Sequence, residues 1–265
     1  MSSQLEIKDL TKVFGKGTMD EKVALNNINV TINPGDFVTM LGSNGAGKST
    51  LFNAVLGTFL TDDGCIWLDD EDITFQKQHT RASKIGCLFQ NPLRGSAPNM
   101  TIEENLALAY TRYASPSFFA VNKKDTAYFK EVLSMLDMGL EDRLKTNMGQ
   151  LSGGQRQAAS LLMATLAKPK LLLLDEHTAA LDPVATKKVL AITKEIVARD
   201  KITTLMITHD MEDALSFGNR TIMMDSGKIV LDVAGEERKG MTPEKLVAAF
   251  QEKSEHDLDD RTILS

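Results

Sequence analysis

Gly42-Ser43-Asn44-Gly45-Ala46-Gly47-Lys48-Ser49-Thr50 is a glycine-rich stretch between an apolar run and a helical one. Ahead of it, the apolar run from Asp36 to Leu41 suits a short buried strand. Behind it, Leu51 to Leu56 reads as a helix stopped by Gly57, where a C-terminal glycine belongs. Strand, glycine loop and helix in that order are the setting that the pattern G-x-x-x-x-G-K-[ST] needs in order to hold phosphate. Gly42, Gly45 and Gly47 can take backbone angles closed to other residues and turn amide N–H groups into one concavity. The following helix adds its unsatisfied N–H groups and the positive end of its dipole. Lys48 supplies a mobile cation for the outer phosphates of a nucleoside triphosphate, and the Ser49 hydroxyl is placed to ligate Mg²⁺. The competing reading is a glycine-rich turn that fits by accident, and it leaves the matching flanks unexplained.

Upstream, Gln4 to Lys12 alternates, with Leu5, Ile7 and Leu10 as its apolar side, and reads as an edge strand. Val23 to Ile32 alternates again and ends at the turn Asn33-Pro34-Gly35. Two half-buried strands before the loop predict an antiparallel sheet lying against the nucleotide core. Phe14 stands between them and reads equally as a purine-stacking ring or a partial core residue.

Downstream, the run from Lys84 to Phe89 is a short buried strand that delivers Gln90 to its carboxyl end, where open α/β sheets bind ligands. The texture changes from Asn91 to about Met148. Thr101 and Glu104 form a capping box for a helix through Ala109, and a second helical stripe runs from Lys123 to about Met138. Leu151-Ser152-Gly153-Gly154-Gln155 then opens a helix from Arg156 to about Ala167. Taken alone, Ser152 reads as a helix cap; in a chain that already has one phosphate-binding helix start it also reads as a second anion site.

The leucine run from Lys170 to Leu174 fits a parallel strand buried on both faces and ends in Asp175-Glu176. Two acids at such a strand end can divide phosphoryl chemistry: Asp175 helping to hold Mg²⁺, Glu176 polarising the attacking water. Ala180-Leu181-Asp182-Pro183 turns into a helix carrying Val189, Ile192 and Ile196 on one face. A last buried strand, Ile202 to Thr208, ends at His209, a position that favours a contact to the terminal phosphate. After the hairpin turn Asp225-Ser226-Gly227-Lys228, one amphipathic helix from Thr242 to about Gln251 leads into an acidic, frayed tail.

Composition narrows the classes. In 265 residues, 36 acidic side chains outnumber 30 basic ones, and the formal charge of −6 argues against a large nucleic-acid surface. Cys65 and Cys87 sit far apart in apolar stretches and read as reduced thiols. No apolar segment approaches the ~20 residues of a membrane-spanning helix, so any membrane role is expected to act through a partner.

The order of phosphate loop, Gln90, LSGGQ at 151–155, LLLLDE at 171–176, ALD at 180–182 and ITHD at 207–210 resembles the nucleotide-binding subunits of ATP-binding cassette (ABC) transporters, from about residue 4 to 235. The resemblance implies an α/β fold: a RecA-like phosphate-loop core with an antiparallel β subdomain and a helical subdomain inserted at about 91–160. It makes 1–240 the ATPase domain and 241–265 a C-terminal helix and tail. It implies ATP and Mg²⁺ as ligands, with Phe14 stacking on adenine, residues 42 to 50 on the phosphates, and Ser49, Gln90 and Asp175 around the metal. Glu176, Gln90 and His209 become the catalytic set. Ser152, Gly153, Gly154 and Gln155 meet the ATP of a second copy in a head-to-tail dimer, and Asp182 lies at that interface. Implied partners are a transmembrane permease and an extracytoplasmic substrate-binding protein, with the chain on the cytoplasmic face of the membrane. His177 stands where most relatives have proline, and the string from Asp175 to Pro183 resembles ATPases of bacterial importers for aromatic amino acids and other small solutes. The alternatives are a soluble ATPase of the same superfamily, of the iron–sulfur assembly type, or the ATPase of an exporter or lipoprotein-release system.

Overall fold

The computed structural model describes residues 3–111 and 123–263. In chain order the elements are β1 (Leu5–Phe14), β2 (Lys22–Ile32), β3 (Phe37–Gly42), α1 (Lys48–Leu56), β4 (Asp63–Leu68), β5 (Glu71–Asp72), α2 (Gln78–Arg81), β6 (Ile85–Leu88), α3 (Ile102–Thr111), α4 (Lys123–Ser134), α5 (Gly153–Thr165), β7 (Leu171–Asp175), α6 (Pro183–Asp200), β8 (Thr204–Ile207), α7 (Met211–Ser216), β9 (Arg220–Asp225), β10 (Lys228–Ala234), α8 (Gly235–Lys239) and α9 (Pro243–Ile263). They fall into two compact units, Met1–Arg81 with Thr203–Ser265, and Ala82–Ile202. Residues 112–122 of the expected helical insertion and the last two residues of the expected frayed tail lie outside the described residues.

In the first unit, β2-β1-β4-β5 form an antiparallel sheet. The expectation of an edge strand at the amino terminus is corrected here: β1 lies between β2 and β4. Alternation reports that one face is buried and is silent on how many neighbours a strand has. The uneven spacing of Leu5, Ile7 and Leu10 has its own cause. Asp9 takes φ +51° at a register shift, and this bulge returns Leu10 to the buried face. The Asn29 side chain satisfies it, its Oδ1 accepting from Asp9 N–H at 3.0 Å.

The second sheet of this unit runs β10-β9-β3-β8, with β3 parallel to both β8 and β9 and β10 antiparallel to β9. The β9–β10 hairpin turns at Ser226 (φ +46°) and Gly227 (φ +78°), the left-handed pair that a tight hairpin needs. Helix α9 extends well past the expected Gln251. Its Leu246 is fully buried against Leu41, Ala214, Met223, Leu231 and Val233, which fastens the C-terminal segment to this sheet.

Arg81, which no motif in the sequence marks, is buried in this unit. Its guanidinium donates to the carbonyl oxygens of Ala54 (2.7 Å) and Val55 (2.8 Å) at the end of α1, and to those of Thr74 (2.9 Å) and Gln76 (3.0 Å). One side chain thus closes the carboxyl end of the helix whose amino end follows the glycine loop. Arg81→Met would strand those carbonyls without donors, and an unfolding titration should show a loss on the order of 3 kcal/mol.

In the second unit, β6 and β7 are parallel, with Leu88 opposite Leu174. Leu171 to Leu174 are all fully buried, as a strand covered on both faces requires. The capping box of α3 is present: Glu104 N–H donates to Thr101 Oγ1 at 3.2 Å and Thr101 N–H to Glu104 Oε2 at 2.8 Å. Helix α4 stops at Ser134, short of the expected Met138, because the chain turns at Asp137 (φ +50°). Its buried stripe is still Phe129, Val132 and Leu133, followed by Leu136.

Candidate functional site

The glycine loop lies at the carboxyl end of β3, and Gly47, at φ +103°, is the residue from which α1 starts. Helix α1 therefore begins three residues earlier than expected and takes in Lys48, Ser49 and Thr50. Two glycines are needed for space as well as for angle. A Cβ on Gly42 (φ +146°) would sit 2.2 Å from the Met224 carbonyl oxygen, and one on Gly47 would sit 2.6 Å from that of Ala24. The β9–β10 turn braces the loop from outside, Gly227 N–H donating to Ala46 O at 3.0 Å. Ser43, Asn44, Gly45 and Ser49 remain exposed. The Lys48 ammonium folds over the loop and donates to the carbonyl oxygens of Gly42 (2.7 Å) and Ser43 (3.0 Å). A cation beside an exposed turn, at the positive end of a helix, fits a bound triphosphate.

His209 is brought to the same loop by sheet register. Met40 pairs with Ile207 in the parallel β3–β8 ladder, so Gly42 and His209, each two residues further on, leave the sheet at the same end. Thr208 N–H donates to Met40 O at 3.2 Å, which extends that alignment, and the His209 side chain is exposed.

Phe14 ends β1 with its ring 42 % exposed, opposite Lys22 in the β1–β2 ladder. The Lys22 ammonium would be 3.9 Å from a Cβ on Gly45, so this strand pair reaches the loop. Lys22 is a second residue that sequence reasoning did not single out. Phe14 also meets Phe59 edge to face, ring centres 5.4 Å apart, and Lys12 Nζ lies 5.5 Å from each ring. The residue is partly packed and partly exposed, which accommodates both sequence readings. Phe14→Ala should weaken ATP binding by only ~1 kcal/mol, the worth of one partly exposed stack, and Lys48→Ala by much more. Equal losses in a binding titration would make Phe14 purely structural.

The second unit gathers the acids. Register sets Gln90 and Glu176 beyond the paired ends of β6 and β7, and the chain leaves β7 by a left-handed turn at Glu176 (φ +43°). Gln90 Nε2 donates to Glu176 Oε2 at 3.4 Å. Asp175 precedes this turn, half-buried. Its carboxylate adds to burial in pushing the Cys87 thiol up to about 12, so Cys87 stays protonated. Among the described residues no three His, Cys, Asp or Glu side chains gather as ligands. Ser49 in the first unit, and Gln90 and Asp175 in the second, each offer an oxygen of the kind Mg²⁺ prefers, and that ion usually takes most of its ligands from phosphate and water.

His177 is fully buried, and its Nε2 meets Thr193 Oγ1 at 3.2 Å. The Thr193 hydroxyl donates to Val189 O at 2.8 Å, so the ring supplies the proton of the first bond. Burial depresses the His177 pKa from 6.5 to about 4. The unfolded chain therefore binds the proton more readily, and stability falls as pH drops from about 6.5 towards 4. The loss is on the order of 3 kcal/mol, and His177→Leu should flatten that limb of a stability-versus-pH curve.

Ser152 caps α5 in a complete capping box: Gln155 N–H donates to Ser152 Oγ, and Ser152 N–H to Gln155 Oε1, each at 3.3 Å. Gln155 is further tied by Nε2 to Met138 O at 3.3 Å, so its amide orients the helix start. Ser152 and Gly153 are exposed, whereas Gly154 is buried. A Cβ on Gly154 would stand 2.8 Å from Ala185 Cβ, so this glycine lets α5 approach α6. Asp182 caps α6, its Oδ1 accepting from Val184 and Ala185 N–H at 3.0 Å.

The ABC transporter family model matches residues 25–179. A tyrosine transport ATP-binding protein of Clostridioides difficile is 39% identical over 247 residues, covering 93% of this chain and 98% of the relative. The spermidine/putrescine import ATP-binding protein PotA of Haemophilus ducreyi is 35% identical over 86% of this chain and 57% of its own length. The methionine import ATP-binding protein MetN of Corynebacterium efficiens is 35% identical over 86% of this chain and 62% of its own. The chain thus spans nearly all of the first relative and about three fifths of the other two. Among solved structures, a dimeric post-hydrolysis ATP-binding cassette bound to ADP and Pi superposes with a TM-score of 0.75 at 28% identity, over 87% of this chain and 98% of that one. The family model covers more than half of the chain and the 39% identical relative runs along almost all of it, so the chain belongs to the ABC transporter family, as one of its ATP-hydrolysing ATP-binding domains.

Proposed function

We propose that the chain is the ATP-hydrolysing subunit of a small-solute importer and works as a head-to-tail homodimer with a separate membrane permease. The observation that carries this reading is the presence of two helix starts suited to anions, at Lys48 and at Ser152, in a chain with one phosphate loop. Each ATP then meets the phosphate loop of one copy and the exposed Ser152-Gly153 start of the other, so closing the dimer buries two nucleotides. Phe14 stacks on the adenine. Lys48 and the α1 amides hold the phosphates, and His209 donates to the terminal one. Ser49, Gln90 and Asp175 are the residues that would hold Mg²⁺, and the ion would neutralise phosphate charge. Glu176, kept in place by Gln90, takes a proton from the attacking water. Asp182 holds the start of α6 at the dimer interface.

No helix among the described residues is long and apolar enough to cross a membrane, and an importer ATPase of this kind reaches the membrane through its permease on the cytoplasmic face. The tyrosine transport relative, aligned along nearly its whole length, supports an aromatic amino acid as cargo; an extracytoplasmic substrate-binding protein is the proposed third partner. The segment after β6, where Leu93 is exposed and Arg94 lies 4.8 Å from the Phe89 ring centre, is the proposed contact with the permease. Purification from membranes after crosslinking at Leu93 should recover a polytopic membrane protein. Recovery of a soluble iron–sulfur scaffold instead would reverse the reading.

A further inference from the structure

The phosphate loop follows the carboxyl end of β3. At the other end of the same strands, within the first unit, lies a cavity of about 530 Å³ lined by Asn33, Asp36, Asn219, Arg220, Arg238 and Lys239. Its cations differ in their commitments. Arg220 is fully engaged, holding both oxygens of Asp232 (2.7 and 2.5 Å) and the Thr31 carbonyl oxygen. Lys239 reaches Glu236 at 2.6 Å, but both side chains are mostly exposed and such a pair is weak.

Arg238 has only neutral partners. Its Nε donates to Thr221 Oγ1 at 3.0 Å, and its Nη2 to the carbonyl oxygens of Ala214 (2.8 Å), Leu215 (3.1 Å) and Phe217. No carboxylate among the described residues pairs with it, and Nη1 makes no hydrogen bond to a described residue. Burial alone pulls its pKa down, with no acid to offset it. The guanidinium is therefore fixed in place by carbonyls and still carries an uncompensated charge beside an open cavity, a preorganised anion acceptor.

A further lining residue restricts which anion suits it. Asp36 accepts from Asn219 Nδ2 (2.7 Å) and from Asn33 N–H (3.0 Å), and brings a negative charge into the same cavity. A dianion such as phosphate is disfavoured there, whereas a monoanion that also carries a hydrogen-bond donor complements both the cations and the acid. We propose that this cavity binds a small organic carboxylate bearing a hydroxyl or ammonium group, its carboxylate on Arg238 and Lys239 and its donor on Asp36.

The test is a set of ¹H–¹⁵N titrations of the full chain with glycerate and L-serine, beside acetate, glycerol and inorganic phosphate at matched ionic strength. Saturable shifts centred on Gly218, Asn219, Gly235 and the Arg238 Nε–H are expected with glycerate or serine, and weaker ones with acetate or glycerol. Lys239→Glu should weaken binding about fivefold without moving the thermal midpoint. Arg238→Lys should abolish it, and if that variant does not fold, Lys239→Glu decides alone. Shifts that never saturate, that are equal for all probes, that are strongest for phosphate, or that ignore Lys239→Glu would overturn the proposal. No step of this readout uses ATP, so its failure leaves the ATPase reading untouched, and failure of that reading leaves this one standing.

Discussion

Glu176→Gln is expected to bind ATP normally and to lose hydrolysis by a factor on the order of 10²–10⁴, the range for removing a positioned base. The expectation rests on where β7 ends. Asp175 closes the strand, and Glu176 then leaves it in a left-handed turn, its carboxylate 3.4 Å from Gln90 Nε2. A side chain held by both a strained turn and a neighbouring amide is fixed against something specific. Glutamine keeps the shape and loses the proton acceptor, so nucleotide should accumulate uncleaved. Steady-state turnover within a few-fold of the parent would remove Glu176 from that role and leave the base unassigned.

The parts of the site that were legible in the sequence are those whose chemistry is local. A glycine loop between strand and helix, a serine at a helix start and a leucine run ending in two acids each announce themselves within ten residues; β7 forms from the leucine run, while α1 and α5 each start three residues before the expected Leu51 and Arg156. His209 and Gln90 were legible because residues just beyond parallel strands inherit their position from the ladder. What stayed hidden depends on distant neighbours. Nothing around Arg81 says that it will close a helix ending at Leu56, because its acceptors are backbone carbonyls, which leave no mark on a sequence. The interior place of β1 was hidden for the same reason: its second partner, β4, arrives some fifty residues later. Gln155 was read from the family resemblance as a nucleotide contact, and its side chain is occupied in capping α5 and holding Met138. The carboxylate of Asp182 is likewise occupied at the start of α6. The cavity beside Arg238 left no pattern at all, since its walls come from three separate segments.

The central claim is that one ATP is shared by two copies of the chain, and mixing two defective variants tests it directly. In a Glu176→Gln background, where closed dimers persist, Lys48→Ala removes the cation folded over the phosphate loop and so spoils one half of both sites. Ser152→Arg fills the exposed helix start of α5 with a long side chain and spoils the other half of both. Neither variant alone should dimerise when ATP is added. Mixed, they form a pair in which one site carries both defects and the other carries neither. Sedimentation of the mixture should then show an ATP-dependent dimer with one tightly held nucleotide, at protein concentrations above those the parent needs, because half of the shared ligand drives association. ATP-driven dimerisation that survives Ser152→Arg alone, or a mixture that never dimerises, would contradict the shared site.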